Sequence, residues 1–576
     1  MIPYYNKKSK LTMKKTLFGY IAATSLLIVG LLYPFSVNMT RALPNAVDPL
    51  LYAWNLNHNV QSALHGFKDL LDTNIFYPEG NTLALSDTLF TQSLLTSPVI
   101  LLTKNPVLAE NLYVLATFPL AALCMFLLAY YLTGSTPASM LAGIFYAFSY
   151  PRLAQIGHLP AISSQWLPLV FLYLMKWIRD QRFRDLIWLF VWYLASITST
   201  LYFGVFLIPL SLIVAGTQLI GTRARRVGKL FKQFLIILIP AAIIVVVALF
   251  PYIRLRAEYP GIRRPLEDAA RLSAGVKDYL TVLPTSWLGD IGLATDTNEH
   301  PLYPTITLTL LALAAIFLVP KSHRGAVVGF LLVAASAFAL SLGPGMGNTH
   351  LPYYYLYKLY PLLQSIRVPA RFSIFVILGF SVCAAFTVQA LLQHAKQHAA
   401  ALLIFLLFIT EIWQVRTSYV SVPLWNDIPA VYHAIEAKPD DSIIVELPLI
   451  PEWNGTQMSD QLTLTYNEVS ENDVYSLEAY RTYFSTFTRK RMLNGYSGYF
   501  PNVYHDHSIV LRNFPSTESI TMLENDRVRY ILVHSSQYRD ESFADIEMKI
   551  QLVPELRLIG QFGTDYLYEL NPAVTN

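Results

Sequence analysis

The residues best suited to chemistry begin just beyond the first long apolar run. In "RALPNAVDPLLYAWNLNHNV", residues 41–60, Asp48 stands beside Pro49 at the start of a helix-like pattern. Asp before Pro is a good helix start, with the carboxylate as N-cap and proline at the first helical position. The same carboxylate can act as general base toward a hydroxyl. Spacing alone favours the cap. Asp87, in "LSDTLF", is the second acid with this double meaning, a cap for the next segment or a substrate contact. His158 follows Gly157 at a turn, and Glu299 and His300 sit in "TDTNEHPLYPT" before an apolar run. Arginines gather in "PYIRLRAEYPGIRRPLEDAARL", which supplies Arg263 and Arg264, and in "SIRVPARF", which supplies Arg367 and Arg371. His58 and His65 are seven apart without a third ligand at metal spacing. There is no CxxC, no HExxH and no phosphate-binding glycine loop.

The elements that must hold these residues are mostly apolar. The 576 residues are 54% hydrophobic and 14% charged, against about 25% charged in a soluble domain. This is the composition of a polytopic membrane protein, and it gives no reason to expect nucleic acid as a partner. Cys124 and Cys383 lie inside apolar runs, so no disulfide framework is expected. About 20 apolar residues cross a bilayer core. Eleven runs fit: 16–37, 107–132, 138–157, 160–178, 186–200, 202–220, 233–252, 302–320, 325–343, 371–391 and 399–415. The first follows five lysines and lacks a good cleavage site, which marks an uncleaved anchor with a cytoplasmic N-terminus. Alternation from there puts "KWIRDQRFRD" and "GTRARRVGK" inside, and the inner segments are denser in Lys and Arg than the outer loops. The expected location is the cell membrane, multi-pass, with the C-terminus extracytoplasmic.

Two regions lie outside these runs. The first outer loop, 38–106, carries an apolar stripe from Leu50 to Leu71, then a turn-rich stretch, then a second amphipathic segment. Both helices are expected to lie along the interface. Residues 416–576 are more polar and contain strand-like "DSIIVELPL", "VRYILVHSS" and "LRLIGQFGTDYLYEL", with a capped helix in "STESITMLENDR". The expected organisation is a membrane domain over 1–415 and an outer α/β domain over 416–576.

A basic N-terminus, one helix, an outer loop with an acid just past the membrane and a polar C-terminal domain resemble the GT-C glycosyltransferases. The stretches that carry the likeness are "DPLLYAWNLNHN", "NIFYPEGNTLALSD", "GHLPAISSQWLPLVFLYL", "LGPGMGNTHLPYYYLYKLYPLLQSIRVPARF" and "RKRMLNGYSGYFPNVYHDH". The resemblance implies an α-helical polytopic fold with a C-terminal extracytoplasmic α/β domain. It implies transfer of a sugar from a polyprenyl-phosphate donor to a glycan, lipid or protein acceptor on the outer face, among membrane lipids. It points to Asp48 as the base. Arg263, Arg264, Arg367 and Arg371 are then candidates to stabilise the leaving phosphate, with His158, Glu299 and Asp87 as further substrate contacts. The arginines have a second meaning, contact with lipid headgroups or with Glu258, Glu267 and Asp268. Tyr496 and Tyr499, beside glycines in "NGYSGYF", suit stacking on a sugar or an ordinary aromatic core. Many GT-C enzymes pair two acids in the first loop. Here Asp48 is followed by proline, so a metal-binding role is not carried over and no cofactor is expected. Two alternatives stand beside this reading, a flippase for a lipid-linked saccharide and a non-catalytic envelope assembly protein. The first lacks an internal repeat and charges in mid-span.

Overall fold

A computed structural model describes residues 7–220, 224–259, 265–294, 299–345, 349–393, 397–414, 417–449, 471–538 and 540–571. Arg263 and Arg264 lie outside the described residues. The chain divides into two compact units: Met1–Met39, Asn111–Phe250 and Arg256–Ser418 form the first, and Thr40–Glu110, Pro251–Leu255 and Tyr419–Asn576 the second.

The first unit is helical. Helices long and apolar enough to cross a membrane are Met13–Leu31, Leu201–Leu219, Lys321–Ser341 and Pro369–Leu392, together with Pro106–Thr133 and Val227–Glu258, which lie largely in this unit. The protein is a multi-pass membrane protein on this count. Each of the eleven apolar runs contains a helix, but several are shorter than a bilayer core requires. The run 138–157 is not one helix. Thr136–Ala147 ends before Ser149-Tyr150-Pro151, and the chain makes short turns until the next long helix starts at Leu167. Proline cannot continue a helix without losing a hydrogen bond. Arg152, fully buried, holds the turns by donating to Ala147, Ile162 and Thr117 carbonyls and to the Ser164 hydroxyl. Elsewhere helices meet closely. A Cβ on Gly379 would lie 2.4 Å from the Phe330 carbonyl oxygen, so only glycine lets these backbones approach.

Glu411, near the end of helix Gln397–Ile412, accepts from the Ile306 and Thr307 amides at 2.6 and 3.0 Å and from the Tyr303 hydroxyl at 2.6 Å. It thus caps the N-terminus of helix Ile306–Leu318 from another helix.

Among the described residues, the second unit contains two sheets. Strands β1 (Ala42–Leu43) and β2 (Val420–Ser421) pair antiparallel. The larger sheet runs β4-β3-β5-β7-β6, where β3 is Ile443–Leu447, β4 Arg491–Met492, β5 Val528–His534, β6 Leu556–Phe562 and β7 Asp565–Leu570. β4, β3 and β5 are parallel and β7 and β6 antiparallel, a mixed α/β sheet. The strand-like runs and the capped helix expected from sequence are these elements: Ser516 accepts from the Ser519 amide at 3.2 Å. β3 is buried along its whole length, as a central parallel strand must be.

The helix from Asp48 runs only to Leu64, not to Leu71. Gly66 and Phe67 take positive φ, 72° and 62°, and turn the chain back. Its polar positions are not a solvated face. Asn55 and Asn59 are buried, and donate to the carbonyls of Asp87 (3.1 Å) and Thr88 (2.8 Å). These bonds, with Asn59 also donating to Asn55 Oδ1 at 2.9 Å and to the Ser93 hydroxyl at 2.8 Å, fold the loop onto itself, since buried amides must be satisfied.

Candidate functional site

Asp48 is the first residue of its helix rather than its cap. Val47 holds the cap position, and its carbonyl accepts the Leu50 amide at 3.1 Å. Pro49 has no amide to offer, so Leu50 supplies the first helical bond. The half-buried Asp48 carboxylate turns elsewhere. Its Oδ1 accepts from the Tyr496 hydroxyl at 2.7 Å, and its Oδ2 lies 3.5 Å from the Tyr52 hydroxyl. Asp87 does not cap either. The helix Phe90–Thr103 has Leu89 at its cap position, in a left-handed conformation with φ 53°. Asp87 instead lends its carbonyl to Asn55, and its carboxylate is a charged neighbour of Tyr252.

Tyr496 is placed by its neighbours. Gly495 meets the Phe76 ring so closely that a Cβ would lie 2.9 Å from it. The Tyr496 amide donates to Thr482 Oγ1 at 2.8 Å. A second acid stands near Asp48. Glu110 is 2% exposed, has the Asp48 carboxylate as its charged neighbour, and its Oε2 has no hydrogen-bond partner among the described residues. Sequence reasoning passed over it, although a lone carboxylate opening an apolar spanning run was the available signal. Two carboxylates are therefore electrostatic neighbours here although no paired motif exists in the loop. Among the described residues, no group of three or more His, Cys, Asp or Glu could hold a metal ion.

In the first unit, three of the residues named from sequence, Arg371, Arg367 and His158, come together around a fourth, Glu299. Arg371 donates to it through two nitrogens, at 2.6 and 3.4 Å, a forked pair with each side chain 14% exposed. Gln155 donates to Glu299 Oε2 at 3.2 Å. His158 and Arg367 are its further charged neighbours. Burial pushes the Glu299 carboxyl up, but Arg371, with His158 and Arg367, outweighs it and holds the group below its ordinary value. Arg371 also lies 4.9 Å over the Tyr202 ring. A small cleft opens here, lined by Gln155, Phe203, Glu299, Leu302, Arg371 and Ile374. His300 bonds Asp278 at 2.6 Å. Such an arrangement can bind an anion through its arginines and histidine while Glu299 orients them.

No protein-family model matches the chain, and a search of curated proteins finds no match. Solved structures do match. The arabinofuranosyltransferase AftD from Mycobacteria is 14% identical, with a TM-score of 0.57 over 97% of this chain and 40% of that one. A mutant form of AftD gives 15% identity and a TM-score of 0.53, over 97% and 41%. ArnT from Cupriavidus metallidurans, bound to undecaprenyl phosphate, gives 11% identity and a TM-score of 0.47, over 96% and 97%. The chain spans less than half the length of AftD. The likeness to AftD shows a shared fold.

Proposed function

We propose that the protein is an integral-membrane glycosyltransferase that moves a sugar from a polyprenyl-phosphate-type donor to an acceptor hydroxyl on the outer face of the membrane. The observation that carries this is the gathering of Arg371, Arg367 and His158 around one buried carboxylate, in a chain with the fold of a known sugar transferase. Asp48 takes the proton of the acceptor hydroxyl as the new oxygen–carbon bond forms. The bond from the sugar carbon to the phosphate oxygen breaks, and the lipid phosphate leaves with the electron pair. That phosphate cannot easily be protonated in place, so fixed cations must stabilise its charge. Arg371 and Arg367 carry donors of the kind that suit such an anion, and Glu299 keeps Arg371 in one orientation. Arg263 and Arg264 are further cations for the same anion, Asp87 and His158 further substrate contacts. AftD is an arabinofuranosyltransferase, which makes a pentofuranose a sugar to try first.

The test compares glycans and glycolipids from cells with the wild-type gene, a deletion and Asp48→Asn. The deletion is expected to lose one sugar from a surface glycan or lipid and to accumulate the sugar-charged carrier, and Asp48→Asn to copy it. Full restoration of the product by Asp48→Asn would remove the catalytic assignment and favour a non-catalytic assembly role.

A further inference from the structure

Asp48 and Tyr496 are 448 positions apart, yet the phenol donates to the carboxylate at 2.7 Å. A phenol on a mobile loop would make this contact incidental. The loop that carries Tyr496 is instead fixed residue by residue. Asn494 accepts from the Glu446 amide at 2.7 Å and donates to the Glu446 carbonyl at 2.9 Å, which ties it to β3 as an extra rung. The Gly495 amide donates to Glu478 Oε2 at 3.2 Å, and the Tyr496 amide to Thr482 at 2.8 Å. Glu478 is itself held, 1% exposed, by Arg481, which also donates to the Pro448 carbonyl and, at 2.8 Å, to Gln537. On the other side, the Phe76 amide donates to the Asn494 carbonyl and the Tyr77 amide to the Met492 carbonyl, both at 2.9 Å. The loop is thus clamped between the first outer loop and a buried ion pair.

We propose that Tyr496 is a positioning residue for Asp48, and that the C-terminal region completes the candidate active site by holding the base from the far end of the chain. This rests on the assignment of Asp48 as base. A carboxylate at the first turn of a helix has open rotamers, and a base must be aimed within about an ångström to be effective. The Tyr496 hydroxyl selects one rotamer through Oδ1, with Tyr52 near the other oxygen. The ion pair of Glu478 and Arg481 acts one step further back, since it fixes the amide beside Tyr496.

The experiment uses the full chain. Tyr496→Phe removes one oxygen and keeps the ring, so thermal stability in detergent should stay near wild type. Product in the glycolipid comparison should fall roughly tenfold to a hundredfold. Full product from Tyr496→Phe, with loss in Asp48→Asn, would overturn this inference alone. Full product from Asp48→Asn would overturn both assignments. A second measurement does not depend on turnover or on the Phe variant folding. With fluorotyrosine at position 496 of the purified chain, the fluorine resonance should shift when Asp48→Asn is introduced. The phenol should also ionise at lower pH, because the neighbouring negative charge is gone. A resonance and titration indifferent to Asp48→Asn would contradict the contact.

Discussion

At the scale of single residues, Glu299 and Arg371 show how charge is managed beside the cleft. Their forked pair is largely shielded from water, so removing one partner strands the other. Arg371→Ala is expected to cost about 3–5 kcal/mol, because it leaves a buried carboxylate without its main counter-charge. Glu299→Gln keeps an acceptor for the guanidinium and should cost less, about 1–3 kcal/mol. Thermal unfolding in detergent at neutral pH would show this order, and equal stabilities would contradict it. The pH dependence follows from the lowered Glu299 value. A group depressed in the folded state contributes its full stabilisation above the ordinary carboxylate value, about 4.3. That contribution is lost as pH falls through the lowered value. Acidification below about pH 4.3 should therefore destabilise wild type more steeply than Glu299→Gln. These residues could be named from sequence because charged groups beside apolar runs are conspicuous. Gln155 and Asp278 could not, since an uncharged amide and an acid 22 positions from its histidine have no spacing that marks them.

At the scale of elements, periodicity located helices well and located their ends poorly. The apolar stripe beginning at Asp48 did predict a helix, but Gly66 and Phe67 end it seven residues early. That decision depends on a backbone turn, which hydrophobic spacing does not encode. Both expected aspartate caps failed for a related reason. A capping side chain is useful only if no stronger partner is near, and the Asp48 carboxylate has Tyr496. Helix Ile306–Leu318 is capped by Thr305, which accepts from the Leu308 amide at 3.2 Å, and by Glu411, 104 positions beyond Thr307. Glu411→Ala would take the carboxylate acceptor from the Thr307 amide and leave the Ile306 amide only the Tyr303 hydroxyl, at 3.1 Å. It is expected to lower stability by roughly 2 kcal/mol or more, read as a lower melting temperature in detergent. Glu411→Gln, which keeps an acceptor oxygen, should fall between the two. An unchanged melting temperature in Glu411→Ala would mean that other groups satisfy the helix end.

At the scale of the whole chain, composition and apolar runs were enough to read a polytopic membrane protein with a C-terminal α/β region, and the mixed sheet and spanning helices agree. What the sequence hid is that residues 40–110 fold into one compact unit with 419–576. A loop and a domain separated by most of the membrane helices give no local signal of their association, because it rests on contacts such as Phe76 to Asn494 and Asp48 to Tyr496. The charge interaction between Asp48 and Glu110 was hidden in the same way. On the proposed function, Asp48 is the base of a sugar transfer from a lipid phosphate. The most direct measurement places the purified full chain in vesicles with a radiolabelled polyprenyl-phosphate pentofuranose and membrane glycans as acceptor. Wild type should transfer label from the lipid, and Asp48→Asn should transfer it about 100-fold to 10,000-fold more slowly, the range for loss of a general base. Transfer by Asp48→Asn at the wild-type rate would show that Asp48 is not the base.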